Sequence, residues 1–365
     1  MKITFITPAP SLCGGYRSVA IYADRLRRRG HDIHIVARLT PPPSVRERIR
    51  SLVRGRGWPK RSQPDTTYLD EVHITARYVD RPRPVVDADL PDADVVIATW
   101  WETAEWTAQL SPSKGAKVYF IQDHEVFPYL PVERVAATWR MPLHKLVVSQ
   151  WLVDLARTKY GDADVSLVPN GVDPRQFWAP PRGKNPVPTV GLVYTEAPRK
   201  ACNVALQAFA LASRRYPQLR LVAFGSHEEL PRLPLPPNAE FHVRPPQTKL
   251  RELYAKCDAW LFSSRTEGFG LPILEAMACR TPVIATPAGA APELLADGGG
   301  ILVAADDPNE MALSIESIIT STEKDWARLS DLAFATASRH SWDDSTDLFE
   351  AALQTAIGKE ASTRV

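Results

Sequence analysis

Short apolar runs of the kind that fill a sheet covered on both faces recur along the chain, separated by stretches with helical spacing. Lys2–Thr7 reads as a first strand. Gly14-Gly15 then opens a helix that runs to about Arg29 and is stopped by Gly30, and Ile33–Ala37 is the next strand. Val95–Thr99, Lys117–Ile121 and Lys145–Ser149 are further buried runs, whereas 41–94 is poorly patterned. The second half repeats the theme, with strands at Thr189–Tyr194, Leu219–Phe224, Ala239–Val243, Ala259–Phe262 and Pro282–Thr286. Helices are expected over Ala201–Arg215, Thr248–Lys256, Leu271–Cys279 and Ala291–Ala296. Such alternation predicts an α/β protein of two doubly wound, Rossmann-like domains, 1–180 and 181–340, joined through the Pro-rich Ala179–Pro186. Residues 341–365 read as a closing amphipathic helix led by Ser341-Trp342-Asp343-Asp344. In such a pair the ligand is expected in the cleft between the domains, at the carboxyl ends of the strands.

Composition narrows the class. A length of 365 residues suits two domains of ordinary size, and 44% hydrophobic with 24% charged residues suits a soluble globular protein. A net charge of +2 gives no general argument for nucleic acid. Cys13, Cys202, Cys257 and Cys279 lack zinc-ligand spacing and read as free thiols in a reducing compartment. No signal-peptide core follows Met1 and no apolar run approaches membrane-spanning length, so a cytoplasmic location is expected.

The most informative chemistry lies in Ser263-Ser264-Arg265-Thr266-Glu267-Gly268-Phe269-Gly270-Leu271-Pro272-Ile273-Leu274-Glu275-Ala276-Met277-Ala278. It follows the apolar strand Ala259–Phe262, breaks at glycines, and enters a helix with Pro272 in its first turn, where a missing N–H costs nothing. A strand, Gly-rich turn and helix present free amides and a positive helix end to an anion. Glu275 can lean back toward the pocket of Glu267, because helical side chains tilt toward the N-terminus. Two carboxylates beside a phosphate-holding turn suit a nucleotide-sugar. The plainer reading has Glu267 in solvent and Glu275 as a charge favoured near a helix start.

The stretch resembles the Glu-x7-Glu motif of retaining glycosyltransferases with the GT-B fold, the family 4 type also described as glycosyl transferases group 1. The resemblance extends over nearly the whole chain and is strongest from Val168 to Leu302. It includes Val168-Pro169-Asn170-Gly171-Val172-Asp173, which by its own chemistry is a turn. It implies metal-independent transfer of a sugar from a nucleoside-diphosphate sugar to a glycan, lipid-linked or small-molecule hydroxyl, with no cofactor beyond that co-substrate. By the same resemblance Glu267 binds donor-sugar hydroxyls and Glu275 the ribose, while amides of Gly268, Phe269, Gly270 and Leu271 face sugar and phosphates. Arg199 and Lys200 hold the diphosphate, although the family's Arg usually follows the strand glycine and Gly191 is here followed by Leu192. The Gly14-Gly15 turn approaches donor and acceptor. A family His is matched by Gln122 when Asp123 is aligned, leaving His124 as the shifted candidate. In similar proteins the last helix crosses back onto the first domain.

Arg46, Arg48, Arg50, Arg54, Arg56, Lys60 and Arg61, with Ile49, Leu52, Val53 and Trp58 between them, form a basic amphipathic run. It offers a face for anionic lipid at the inner membrane surface, or simply a solvated face. Of the three Asp-x-Asp strings, Asp92/Asp94 precedes its strand, the wrong end to hold a metal on a diphosphate, and Asp87/Asp89 and Asp162/Asp164 sit in loops. Two alternatives share the fold: a nucleotide-sugar 2-epimerase, and a non-catalytic protein that binds a nucleotide-sugar without turning it over.

Overall fold

The computed structural model describes residues 1–9, 13–39, 45–53 and 67–363. Arg54, Arg56, Trp58, Lys60 and Arg61 of the basic run lie outside them. The chain divides into two compact units. One comprises Met1–Val148, Leu152–Val168 and Thr346–Val365, the other Ser149–Trp151 and Pro169–Ser345.

The first unit holds a seven-stranded sheet of β1 (Lys2–Thr7), β2 (Asp32–Ala37), β3 (Arg77–Tyr78), β4 (Val95–Ala98), β5 (Ala116–Ile121), β6 (His144–Val147) and β7 (Val165–Leu167). Its order is β3-β2-β1-β4-β5-β6-β7, and every pairing is parallel. Ile3, Phe5 and Ile6 of β1 are inaccessible to solvent, as the continuous apolar run requires of a strand covered on both faces. Helix Gly14–Arg28 covers one face, burying Val19, Tyr22, Ala23 and Leu26 at helical spacing. Phe349, from the closing helix Trp342–Thr363, stacks on Tyr22 at 4.3 Å and meets Phe120 edge-on at 5.2 Å. That aromatic group ties residues 346–365 into the first unit.

The second unit holds β8 (Thr189–Tyr194), β9 (Arg220–Gly225), β10 (Glu240–Val243), β11 (Ala259–Phe262), β12 (Val283–Ala285) and β13 (Gly300–Leu302). The order is β10-β9-β8-β11-β12-β13, again wholly parallel. Gly191 on β8 is the register partner of Trp260 on β11. A Cβ at Gly191 would lie 2.3 Å from the Trp260 ring, so the glycine is what lets that indole enter the sheet face. Phe209, Ala205 and Ala212 of helix Cys202–Arg215 pack with Met311, Ile315 and Ile318 of helix Pro308–Thr320 in the core of this unit. Each large side chain so buried contributes about 1.5–3 kcal/mol. Asp307 caps the latter helix by accepting from Asn309 N at 2.9 Å and Glu310 N at 3.0 Å.

Both sheets reverse winding direction beside their first strand, β1/β4 in one unit and β8/β11 in the other. Such a switch point opens a crevice at the carboxyl ends of the two strands. Loops leaving β8 and β11 therefore meet, and these are the loops that carry Lys200 and Glu267.

The short edge strands β3, β7 and β13 are not predicted by the pattern. Two or three residues, partly or fully exposed, leave too little periodicity to read. Helices Pro308–Thr320 and Glu323–Ser338 likewise lie in a stretch for which the pattern predicts no element.

Candidate active site

β11 is buried along its length and delivers Ser263 and Ser264, both buried, to the switch point of the second unit. Gly270 then begins helix Leu271–Ala278 with φ +101°, a left-handed conformation that a side chain disfavours. From β8, Pro198–Lys200 forms a single 3-10 turn, and Ala201 at φ +45° starts helix Cys202–Arg215.

The two loops are knitted together through backbone groups. Arg265 N donates to Arg199 O at 2.7 Å, and Ser263 Oγ donates to the carbonyls of Lys200 and Ala201, each at 3.0 Å. Arg265 is itself held by Asp306, with Nε 2.9 Å from Oδ2. This fixes where the side chains of Arg199 and Lys200 leave the chain.

Both converge on Glu267, whose side chain is only 8% exposed. Lys200 Nζ pairs directly with Glu267 Oε1, which also accepts from Ser264 Oγ at 2.8 Å. Arg199 stands 3.6 Å from Oε2. A carboxylate so buried requires such partners, because desolvating it alone would cost several kcal/mol. Lys200, Glu267, Thr195, Ser264, Leu192 and Pro272 are among the residues lining the pocket at this point.

The Gly-rich turn has an unusual backbone. Gly268, Phe269 and Gly270 are all buried, yet their amides and that of Leu271 donate to no group among the described residues. Buried amides are nearly always paired, and only the helix start at Leu271 accounts for part of this run. Their carbonyls, in contrast, are firmly held. Gly268 O accepts from Ser149 Oγ at 2.6 Å and Trp151 Nε1 at 3.0 Å, and Phe269 O accepts from Ala290 N at 2.8 Å. Gly289, at φ +63°, makes this last approach feasible, since a Cβ there would fall 2.5 Å from Phe269 O. No motif points to Ser149 or Trp151. They are distant in sequence, and their role is visible only once the loop is folded.

Glu275 is buried on helix Leu271–Ala278 and accepts from Tyr254 Oη at 2.8 Å. It is not among the residues lining the pocket around Lys200.

The remaining candidates belong to the first unit. Gly14 and Gly15 open helix Gly14–Arg28, and Gln122 Nε2 donates to Gly15 O at 3.0 Å. His124 instead contacts Tyr160, with Nε2 2.7 Å from the hydroxyl, and lies edge-on to Trp139. Burial, reinforced by the Lys159 charge, pushes the His124 pKa down to about 4, so the ring is neutral at ordinary pH. Next to it, Glu125 is buried, accepts from Trp101 N at 2.9 Å, and has its pKa raised well above the carboxylate range by desolvation and by Asp123.

The Asp-x-Asp strings have other partners. Asp89 holds Arg83 through two hydrogen bonds, Asp92 pairs with Lys114, and Asp164 with His144 and Lys359. Cys202, Cys257 and Cys279 are buried and Cys13 is exposed, all four as free thiols. No described helix is long and apolar enough to cross a membrane.

Two parallel doubly wound units with a Glu-x7-Glu loop at one switch point define a GT-B protein. The family model of glycosyl transferases group 1 matches residues 176–331, and that of glycosyltransferase family 4 matches residues 14–176. The chain belongs to this group 1, family 4 type of glycosyltransferases. It is 31% identical over 234 residues to D-inositol 3-phosphate glycosyltransferase of Mycobacterium leprae, covering 60% of this chain and 51% of that protein. The D-inositol 3-phosphate glycosyltransferase of Stackebrandtia nassauensis is 31% identical over 236 residues, 58% of this chain and 52% of its own length. The chain thus spans about half the length of these two relatives. Among solved structures, sucrose-phosphate synthase from Thermosynechococcus elongatus superposes with a TM-score of 0.73 at 18% identity, covering 98% of this chain and all of that one. HepE from Anabaena, in complex with UDP and glucose, gives 0.73 at 18%, covering 97% of this chain and all of the other. At such identities these structures establish the fold.

Proposed function

We propose that the protein transfers a sugar from a nucleoside-diphosphate sugar to a hydroxyl acceptor, without a metal and with retention at the anomeric carbon. The observation that carries this reading is the conjunction of unpaired amides at the buried Gly268, Phe269 and Gly270 and at the half-buried Leu271 with the Arg199/Lys200/Glu267 cluster beside them.

Breaking the bond between the anomeric carbon and a diphosphate leaves negative charge on the phosphate and positive charge on the sugar. Donors already aimed at the developing negative charge lower that barrier most, because they need no rearrangement as the bond breaks. Arg199, Lys200 and the helix start at Leu271 supply that charge here. The cations replace what a divalent ion would otherwise contribute, which supports a metal-free reaction. Lys200 rests on Glu267 and can pass to the diphosphate as sugar hydroxyls take its place on the carboxylate.

Retention is proposed from the resemblance to the retaining family 4 enzymes, and the state of Glu267 supports a route without a covalent intermediate. Its Oε1 already accepts from Lys200 and Ser264, and Arg199 faces Oε2, so its lone pairs are committed to binding. A carboxylate in that state is a poor covalent nucleophile. The acceptor hydroxyl then attacks from the face the diphosphate leaves, and the departing phosphate oxygen takes its proton. Glu275, on the helix that follows the loop, is assigned to the ribose, and from the resemblance alone Gly14 and Gly15 are assigned to donor and acceptor and His124 to the donor sugar.

In the first unit, helix Val45–Val53 exposes Val45, Ile49 and Leu52 along one stripe, with Arg46 and Arg50 also exposed. The arrangement supports a lipid-linked acceptor met at an anionic membrane surface.

Thermal shift with a panel of uridine, guanosine, thymidine and adenosine diphosphate sugars, with and without EDTA, tests the donor assignment. A stabilising donor whose effect ignores EDTA is expected, followed by nucleotide release. Failure of every donor to bind overturns the reading.

A further inference from the structure

We propose that Ser149 and Trp151 are positioning residues for sugar transfer, acting by holding the Gly268 carbonyl so that the Phe269 amide is aimed at the donor. The inference rests on the Gly-rich loop being the nucleotide-sugar site. Peptide bonds among the described residues are all trans, and in a trans peptide the C=O and N–H point in opposite directions. The Gly268–Phe269 peptide is held by its oxygen alone, by Ser149 Oγ at 2.6 Å and Trp151 Nε1 at 3.0 Å. Its N–H must therefore point away from both, and it donates to nothing among the described residues.

Two donors on one carbonyl are more than satisfying it requires. Ser149 is fully buried, so its hydroxyl is committed to this bond, and it belongs to the same compact unit as the loop. Gln150, between the two, is tethered as well, its amide donating to Glu293 Oε1 at 3.0 Å. Glu293 lies on the short helix Ala291–Leu294, and Ala290, just before it, holds the next carbonyl, that of Phe269, at 2.8 Å. Two consecutive peptides are thus pinned through their oxygens, from two segments that Glu293 joins. The arrangement removes the rotational freedom by which a glycine-flanked peptide would turn its N–H out of line. Binding of ground-state donor tolerates some freedom there, since other amides and cations also hold it. Stabilisation of the departing diphosphate does not, because its charge develops at one position.

Trp151→Phe removes only the indole N–H and keeps a ring, while Ser149→Ala removes the hydroxyl. Nucleotide release is measured at saturating concentration of whichever uridine, guanosine, thymidine or adenosine diphosphate sugar the unaltered protein turns over fastest. The double variant is expected to lose at least about tenfold in kcat, with donor KM within about threefold of the unaltered protein. A smaller loss of kcat, or a KM that rises in step with it, overturns the assignment, since a merely structural role moves both. Should the double variant fail to fold, Trp151→Phe alone serves, with a kcat loss of at least about threefold expected at unchanged KM. If the unaltered protein releases nucleotide from no donor, the reading of the site falls and the assignment with it. Normal turnover that persists in the variants overturns the assignment alone.

Discussion

Lys200 and Glu267 form an ion pair across the crevice between the loops that leave β8 and β11, with Ser264 donating to the same carboxylate oxygen from 2.8 Å. On the proposed reading, these opposite charges at a switch point, next to unpaired amides, are an arrangement for exchange. Each group is stabilised while the site is free and can be handed to a ligand that carries both phosphates and hydroxyls. Lys200→Ala and Glu267→Gln are therefore expected to lower turnover by about two orders of magnitude or more. Circular dichroism should show both variants folded. Turnover near that of the unaltered protein in either would remove the pair from the mechanism.

On the proposed reading, Glu275 serves the nucleotide and Glu267 the sugar. Its carboxylate, held by Tyr254 at 2.8 Å, is assigned to the ribose. Glu275→Gln should weaken binding of the nucleoside diphosphate itself by roughly 10-fold, the order expected for one hydrogen bond to a charged group. Glu267→Gln should leave that affinity nearly unchanged and weaken only the sugar-bearing donor. Calorimetric titration with both ligands checks the contrast, and equal responses of the two variants to both ligands would contradict it.

The central strands and the Glu-x7-Glu loop are legible in the sequence for a common reason. Strands such as Thr189–Tyr194 and Ala259–Phe262 are buried on both faces, so their apolar runs are continuous, and Gly268 and Gly270 stand where a turn is needed. Edge strands are not, because β3 and β13 are two and three residues long with partly or fully exposed positions. The place of Lys200 is readable from its position after a strand and before a helix. That of Ser149 and Trp151 is not: a serine and a tryptophan at the end of an ordinary apolar run carry no signal until Gly268 is brought against them. Gln122 can be aligned with a family histidine, but only the fold shows its amide on Gly15.

Glu125 gives a pH dependence of stability. Its pKa is raised in the folded protein above the unfolded value of about 4.3, so the unfolded chain loses this proton first as pH rises. Its contribution is full below that value and is lost as pH climbs toward the folded pKa. His124 acts in the opposite sense: with a folded pKa of about 4 against about 6.5 unfolded, its contribution is full above about 6.5 and is lost as pH falls toward 4. Glu125→Gln keeps an oxygen to accept from Trp101 N and removes the ionisation. The variant should match the unaltered protein near pH 4 and melt progressively higher than it toward pH 8. A constant offset across that range would contradict the titration of Glu125.

Helix Val45–Val53 should bind anionic surfaces. Co-sedimentation with vesicles of phosphatidylglycerol and phosphatidylcholine is expected to fall several-fold in Ile49→Asp/Leu52→Asp, and to fall with added salt, while nucleotide release in solution is unchanged. Equal recovery of both proteins would remove the membrane from the account.

The most direct test follows a single reaction. The donor that stabilises the protein is incubated in EDTA with a simple hydroxyl acceptor, and the anomeric configuration of the product is read by proton NMR in the unaltered protein and in Glu267→Gln. The account predicts a product of retained configuration, formed as fast with EDTA as without, and its near disappearance in the variant. An inverted product, dependence on a divalent ion, or undiminished transfer by Glu267→Gln would contradict it.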